Sequence, residues 1–268
     1  MANICHFPAL TRSAKLLGLP LEKIENGSGQ PDDITVVTAG SRYHLSAGKT
    51  RLSIPKTLHL TQFLTVVIPW TFFKRSPYPV LHAASCVVND GAVLFCGGSQ
   101  TGKSSLAAIA WERDFPIIND DCTAIEPLNA RVRPFPQGLS LRLQEPGIPE
   151  PFASRNGNCT PCVEGKGWKS DYWVLFGRSL KGMVPYGNSF PVKALYFLRR
   201  GTLTRRFPVD RETAIKKILT LTFQTQNKRM GNLPFIERLW RRKQIFELEV
   251  GEGDLSGAFS LAISPFME

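Results

Sequence analysis

The sequence predicts an α/β fold with a small N-terminal β-rich appendage, and three observations lead to this prediction. A glycine-rich segment, residues 97–104, stands between a short apolar run and a helix-forming run. A pair of adjacent aspartates follows the next apolar run, and short alternating segments occupy residues 31–55. Strand, glycine-rich loop and helix in this order are typical of sheets that bind ligands at the carboxyl ends of their strands. We therefore expect the appendage over residues 1–75 and the main domain over residues 76–268.

The composition and the charge favour a globular protein that binds anionic ligands. The chain has 268 residues, of which 43% are hydrophobic, enough for one large core. No apolar run reaches the roughly 18 residues of a membrane span, and residues 1–19 have no long apolar core or cleavage pattern of a secretory signal, so we expect a cytoplasmic protein without a membrane partner. The net charge of +11 favours anionic ligands such as nucleotides. Nucleic acid is a less favoured partner, because no nucleic-acid-binding motif accompanies the densest basic cluster and a solvated helix face explains it more simply. That cluster consists of Arg238, Arg241, Arg242 and Lys243.

The first predicted elements belong to the appendage. Short alternating segments at residues 34–36, 43–45 and 52–54 are separated by turn residues and predict a small antiparallel β unit. Residues 58–73 are apolar and predict a helix that is interrupted at Pro69.

The main domain is predicted to begin with two neighbouring strands. Residues 80–88 form one apolar run, and residues 92–96 form a second run that is typical of a buried strand. Asn89, Asp90 and Gly91 lie between them and favour a tight turn.

The segment that follows matches G-x-x-x-x-G-K-[ST], the phosphate-binding P-loop. Gly97 and Gly102 permit backbone conformations in which N–H groups curl around phosphate oxygens. Lys103 would bring a positive charge to the β- and γ-phosphates, and Ser104 would offer its hydroxyl to Mg²⁺. The helix predicted next would place its N-terminus at the anion. The predicted nucleotide-binding residues are Gly97, Gly98, Ser99, Gln100, Thr101, Gly102, Lys103, Ser104 and Ser105.

Two carboxylates come after the next apolar run. Asp120 and Asp121 follow residues 115–118, where a strand end would meet a phosphate site. Adjacent strand residues point to opposite faces of a sheet, so both can serve one site only if the strand ends or bends there.

The second half of the chain carries weaker signals. Residues 146–190 are rich in glycine, proline and asparagine and predict a long, partly mobile segment of a kind that is often functional. A continuous strand is predicted at residues 192–198, and either Arg199 or Arg200 after it could reach a phosphate, although an exposed strand end is the simpler interpretation. A helix that Asp210 caps and a half-exposed strand at residues 246–250 complete the domain.

The six cysteines predict no metal site. Cys159 and Cys162 form a C-x-x-C pair, but a zinc site would need a second pair with compatible spacing, and none is evident. Cys86, Cys96 and Cys122 lie in apolar runs and are predicted to be buried thiols.

His82, the P-loop and the Asp120–Asp121 pair together resemble the HPr kinase/phosphorylase family of bacterial serine kinases. In that family a histidine precedes the P-loop strand and an Asp-Asp pair follows the helix, at similar spacings. The resemblance covers residues 81–126. The N-terminal β unit and residues 133–136 are more similar to smaller relatives, among them kinases found beside lasso-peptide biosynthesis enzymes, which phosphorylate a serine at the end of a precursor peptide.

The resemblance implies an HPr-kinase-like catalytic domain that transfers the γ-phosphoryl group of ATP, with Mg²⁺, to a serine hydroxyl of a small protein or precursor peptide. It implies that Asp120 orients the acceptor hydroxyl and takes its proton, and that Asp121 helps Ser104 to hold Mg²⁺, although these two assignments could be exchanged. Larger family members form rings, so a homo-oligomer is one assembly that it allows.

The same resemblance implies further site residues. It places His82 near the phosphates with Lys103, whereas a buried core histidine is the simpler alternative. By distance along the chain, Glu145 rather than Glu126 matches the glutamate that the family uses at its metal. The glycine-rich signature that follows that glutamate in the family is not reproduced after Glu145.

Three other functions stay open at this point. A nucleotide-binding regulator or ATPase would need no peptide acceptor. A phosphotransferase for a small metabolite would share the P-loop with the carboxykinases, whose additional His and Lys metal ligands have no counterpart that we can identify. A nucleic-acid-binding protein would rest on the basic charge alone.

Overall fold

The computed structural model describes residues 34–39, 42–47, 50–55, 76, 78–134, 139–142, 162–166, 171–175, 182–184, 187–223 and 233–267. Over these ranges the chain forms a mixed α/β structure with a nine-stranded mixed sheet, two three-stranded sheets and four α-helices. Within the same ranges, none of the helices combines the length and the apolar character that a membrane span requires.

The strands are β1 (Ile34–Ala39), β2 (Arg42–Ala47), β3 (Thr50–Pro55), β4 (Val80–Leu81), β5 (Ala83–Val88), β6 (Gly91–Cys96), β7 (Ile117–Asn119), β8 (Thr123–Glu126), β9 (Arg131–Arg133), β10 (Leu139–Arg142), β11 (Cys162–Lys166), β12 (Asp171–Leu175), β13 (Phe190–Gly201), β14 (Arg205–Pro208) and β15 (Ile245–Gly251). The helices are α1 (Lys103–Glu112), α2 (Arg211–Leu221), α3 (Leu233–Arg241) and α4 (Leu255–Ile263), and a 3₁₀ turn follows at Ser264–Phe266.

The N-terminal strands confirm the predicted antiparallel β unit. Strands β1, β2 and β3 form one sheet in chain order, with β2 in the centre and both pairings antiparallel. The division of the chain after residue 75 stays a prediction. The helix predicted at residues 58–73 lies outside the described residues.

The large sheet is built around three parallel strands. Its order is β4-β8-β9-β13-β6-β5-β7, with β15 beside β13 and β14 beside β15. Strand β13 runs parallel to both β6 and β15, and the remaining pairings are antiparallel. Because parallel strands end at the same edge of a sheet, the carboxyl ends of β6, β13 and β15 lie together, and the glycine-rich segment leaves the sheet at that edge.

Helices cover both faces of this sheet. Successive residues of β6 alternate between two buried clusters: Val93 and Phe95 join the cluster of α1 and α4, whereas Leu94 and Cys96 join the cluster of α2 and α3. Helix α1 is buried along most of its length, since it lies between the sheet and α4. The sheet edge at the end of β6 is therefore held from both sides by packed helices.

The single strand predicted over residues 80–88 is wrong, because the structure divides it at His82. Strand β4 pairs with β8, whereas β5 pairs with β6 and β7. The N–H of His82 donates instead to the carbonyl of Leu221 at 2.8 Å. The tight turn between β5 and β6 is confirmed, and Asn89 and Asp90 adopt φ values of 43° and 62°, which match the twist of a two-residue hairpin.

The structure adds strands to the segment at residues 146–190 that the sequence did not predict. Residues 146–190 contain β11 and β12, which pair with each other and with β10 in a three-stranded sheet. Strand residues such as Tyr172, Trp173 and Val174 have high β propensity, which the surrounding glycines and prolines obscure in the sequence.

Strand β15 is more buried than the predicted half-exposed strand. It lies between β13 and β14, and the side chain of Glu249 is only 4% exposed. Arg199 and Arg205 pair with this carboxylate, so the alternating acid is satisfied within the protein and not by solvent. The strand predicted at residues 192–198 is confirmed as part of β13, and Asp210 caps α2 by accepting from the N–H of Thr213 at 2.9 Å.

Candidate phosphate-binding site

The glycine-rich segment connects β6 directly to α1, as the motif requires. Gly102 adopts a left-handed conformation at φ 99°, where a side chain would be strained. A Cβ atom on Gly97 would collide with the side chain of Thr101, whose hydroxyl donates to the carbonyl of Gly98 at 3.0 Å. No side chain caps α1, and its first turn holds no acidic residue. The loop and the positive end of the helix therefore face the sheet edge without a carboxylate of the helix itself.

Lys103 is buried beneath this loop, with 4% of its side chain exposed. Its Nζ donates to the carbonyl of Gly98 at 2.7 Å and lies 3.2 Å from Oδ1 of Asp121. Burying a lysine is costly unless its charge is paired, and here one carboxylate and one carbonyl compensate it. The loop lysine is thus held at a fixed position between its own loop and the aspartate pair.

Ser104, the next residue, contacts the other aspartate. Its hydroxyl donates to Oδ1 of Asp120 at 2.8 Å, and Asp120 is fully buried. The adjacent aspartates therefore contact adjacent residues of the loop: Asp120 bonds to Ser104 and Asp121 pairs with Lys103.

A turn at the end of β7 makes this arrangement possible. Strand β7 ends at Asn119, and the N–H of Cys122 donates to the carbonyl of Asp120 at 2.8 Å. Asp121 adopts φ 64° in this turn. Because the chain leaves the strand geometry there, two neighbouring side chains that a strand would send to opposite faces both reach the loop. The condition stated for the pair, that the strand ends or bends, is met.

His82 stands next to the same carboxylate. Its Nε2 lies 3.1 Å from Oδ1 of Asp121, and its ring lies 4.9 Å from the ring of Phe223 at a tilt of 46°. The side chain is 19% exposed, so it is not a core histidine enclosed by apolar residues. The strand pairing is interrupted at residue 82, and strand β7 has ended before residue 121. These two interruptions bring the histidine and the aspartate together.

The contacts of Asp121 determine its charge. Partial burial tends to raise the pKa of this carboxyl group, but the hydrogen bond from His82 and the nearby charge of Lys103 outweigh burial and lower the pKa to about 2. Asp121 is therefore a carboxylate at neutral pH, and Nε2 of His82 is the donor in the bond between them. The side chain of Asp121 is 44% exposed and can be reached from solvent, whereas Asp120 is buried against Ser104.

The hydroxyl of Ser104 and the carboxylate of Asp120 fit a magnesium ion. Both are hard oxygen ligands, and Mg²⁺ commonly takes only one or two protein ligands beside phosphate oxygens and water. In the described ranges, no three or more His, Cys, Asp or Glu residues form a group that could hold a metal ion. Glu145, the other predicted ligand, lies outside the described residues. Glu126 is engaged by Arg133 across β8 and β9.

The structure brings together most of the residues that the sequence singled out. His82 and Lys103 contact Asp121, Ser104 contacts Asp120, and the two sets are neighbours because both pairs of residues are adjacent in the chain. Sequence inspection missed Phe223, which packs on the histidine ring from the end of α2. No signal could have identified it, since 140 residues separate it from His82 in the chain and an isolated phenylalanine carries no spacing pattern.

Comparisons with known proteins give likenesses among solved structures. No family model matches the chain, and no curated protein matches it. Among solved structures, the chain is similar to the Hpr(Ser) kinase/phosphatase from Coxiella burnetii, with 16% sequence identity over 61% of this chain and 97% of that chain. The TM-score of this superposition is 0.28. A score this low establishes no shared fold, so the function has to be inferred from the contacts of the side chains.

Proposed function

We propose that the protein is an ATP-dependent kinase that transfers the γ-phosphoryl group to a serine hydroxyl of a small protein or peptide. One observation carries the proposal: an exposed carboxylate, Asp121, lies 3.2 Å from the buried loop lysine, while its neighbour Asp120 is bonded separately to Ser104. A phosphate-binding loop with two carboxylates in different environments provides the separate roles that phosphoryl transfer needs.

The contacts favour the exchanged assignment of the two aspartates. Asp120 is buried against the loop serine, so it would hold Mg²⁺ together with Ser104, and the bound ion would supply charge neutralisation for the phosphates. Asp121 is exposed, so it would accept the proton of the acceptor hydroxyl. His82 donates to Asp121 and would fix the direction of the carboxylate.

In the transfer step, the acceptor oxygen forms a bond to the γ-phosphorus, and the bond from that phosphorus to the bridging oxygen of ADP breaks. The hydroxyl proton moves to the carboxylate of Asp121, and Lys103 stabilises the charge on the phosphate oxygens. The basic net charge of +11 favours an acidic nucleotide and an acidic acceptor peptide.

The direct test is transfer to a peptide. We would incubate the protein with ATP, Mg²⁺ and a synthetic peptide with a terminal serine, and follow the peptide by mass spectrometry. Gain of one phosphoryl group that is lost when the serine is replaced by alanine would support the proposal. A lasso-peptide precursor is the first acceptor to try. Absence of transfer to any such peptide and to small proteins with exposed serines would count against it.

The exposure of Asp121 also favours a second candidate, an ATPase. A carboxylate that is 44% exposed could orient water as well as a serine hydroxyl. Labelled ATP incubated with the protein alone separates the two functions. Rapid release of phosphate to water without a peptide identifies the ATPase, whereas slow release that a peptide replaces by transfer identifies the kinase.

A further inference from the structure

Different kinds of charged side chain lie on the two sides of the glycine-rich loop. In the sheet order, β5 and β7 lie on one side of β6; His82 immediately precedes β5, and the two aspartates immediately follow β7. Strand β13 lies on the other side of β6 and carries Arg199 and Arg200 just before its last residue, Gly201. The site residues of the proposed reaction are therefore concentrated on one side of the loop, and two arginines stand on the other.

The register of β13 brings these arginines level with the loop. Phe197 pairs with Cys96, the last residue of β6, and the two strands are parallel. Arg200 is three residues further along, roughly 10 Å beyond that pair at the rise of a β-strand. The glycine-rich segment occupies the same level, because it begins immediately after Cys96.

Arg200 lies close to the loop at the start of α1. A Cβ atom placed on Gly102 would lie 3.7 Å from Nη2 of Arg200 and 3.5 Å from Cδ2 of Leu255. The guanidinium is thus near the residue that precedes Lys103, within one side chain's reach of it, and the first residue of α4 lies beside it.

The two arginines differ in their partners. Arg199 pairs with Glu247 and with Glu249, so its charge is compensated on the face of the sheet to which it points. Adjacent strand residues point to opposite faces, and Arg200 pairs with no acid among the described residues. Arg200 is also exposed to solvent. A guanidinium in this position can donate to phosphate oxygens, and its planar face can stack on a base.

We propose that Arg200 binds the donor nucleotide on its nucleoside side, at the α-phosphate and the base. This inference rests on the proposed kinase function, because it takes the direction of the nucleotide from it. If the terminal phosphate faces Asp121 on the β5–β7 side, the rest of the nucleotide extends along the loop towards β13. Arg200 is then a binding residue for ATP and for ADP, and it does not contact the phosphate that is transferred.

The test is Arg200→Ala, with Arg242→Ala as the matched control, since Arg242 is an exposed arginine outside the site. We would measure the Kd of ATP and of ADP by calorimetry, and the KM and kcat of transfer with the peptide. Loss of a charge-assisted contact predicts that Kd rises about tenfold for ATP and ADP alike, with KM raised to match and kcat unchanged. The control should bind as the unaltered protein does.

Three results would overturn the inference. Unchanged Kd values would show that Arg200 does not contact the nucleotide. A rise for ATP but not for ADP, or a fall in kcat at constant KM, would place its contact at the transferred phosphate. The ADP measurement needs no transfer to occur, so an effect of Arg200→Ala on binding can be established even if the protein proves to have no kinase activity. Absent transfer with intact nucleotide binding would count against the kinase function and not against this contact.

Discussion

Replacing Asp121 by asparagine should separate nucleotide binding from phosphoryl transfer. The change keeps the shape of the side chain and removes the charge that lies 3.2 Å from Nζ of Lys103. Two unit charges at this distance interact by about 1.3 kcal/mol at the dielectric constant of water, and screening by salt lowers this to about 1 kcal/mol at a partly exposed site. Lys103 gives up this attraction when it turns to a phosphate, so Asp121→Asn should bind ATP up to about fivefold more tightly.

The same variant should lose most of its phosphoryl-transfer activity. An asparagine cannot accept the acceptor proton, and loss of a general base costs about two to four orders of magnitude. We therefore expect tighter binding together with transfer reduced at least about 100-fold. Calorimetry with ATP, in the presence and absence of Mg²⁺, would measure binding, and mass spectrometry of the peptide would measure transfer.

Asp120→Asn is the matched variant for this experiment. Because Asp120 is bonded to Ser104, we expect it to lose the increase in ATP affinity that Mg²⁺ provides, an increase that Asp121→Asn should keep. If Asp121→Asn retained transfer near the unaltered rate, or if it lost the magnesium effect while Asp120→Asn kept it, the proposed division of roles would be refuted. The assignment implied by the family resemblance, with Asp120 as the base, would then be the better one.

Three further changes test other parts of the structure. Lys103→Ala should reduce turnover about 100-fold or more with the fold retained by circular dichroism, the scale for losing one preorganised charge contact, and near-normal turnover would contradict its role. Tyr196→Phe should lower the free energy of unfolding by about 1 to 2 kcal/mol in urea, since the buried hydroxyl donates to the carbonyl of Ala262 at 2.7 Å; an unchanged midpoint would contradict this. For Glu249, burial raises the pKa, but the ion pairs with Arg205 and Arg199 outweigh it and hold the pKa below its ordinary value. The resulting stability is present above the ordinary pKa and is lost as pH falls through the lowered one, so thermal melts of Glu249→Gln should depend less steeply on acid pH than those of the unaltered protein, and equal slopes would refute the pairing.

The sequence identified the elements of the domain better than their pairing. Turn chemistry at Asn89 and Asp90 and the apolar run before Gly97 predict the β5–β6 hairpin correctly, because those signals are local. The break at His82 could not be predicted in this way. It arises because β4 pairs with β8 and β5 pairs with β6, and an apolar run does not reveal a change of partner.

The burial of charged residues could not be predicted from the sequence either. Alternation in β15 predicts solvent on the side of Glu249, as in a sheet that has one face open to water. Here β13 and β14 enclose the strand and contribute the arginines that compensate the acid. Lys103 is similar: the motif predicts its position at the loop, but its burial to 4% exposure follows from packing that no spacing encodes.

The turn at Asp121 explains how one short segment can serve two purposes. A non-glycine residue at φ 64° is held in an uncommon conformation, which aspartate tolerates better than most residues. In strand geometry its side chain would point to the face opposite that of Asp120, away from Lys103 and His82. The turn instead places a buried carboxylate on the loop serine and an exposed carboxylate on the loop lysine. Because the two differ in burial and in partners, they can differ in chemistry: the first is suited to hold a cation and the second to meet an incoming hydroxyl.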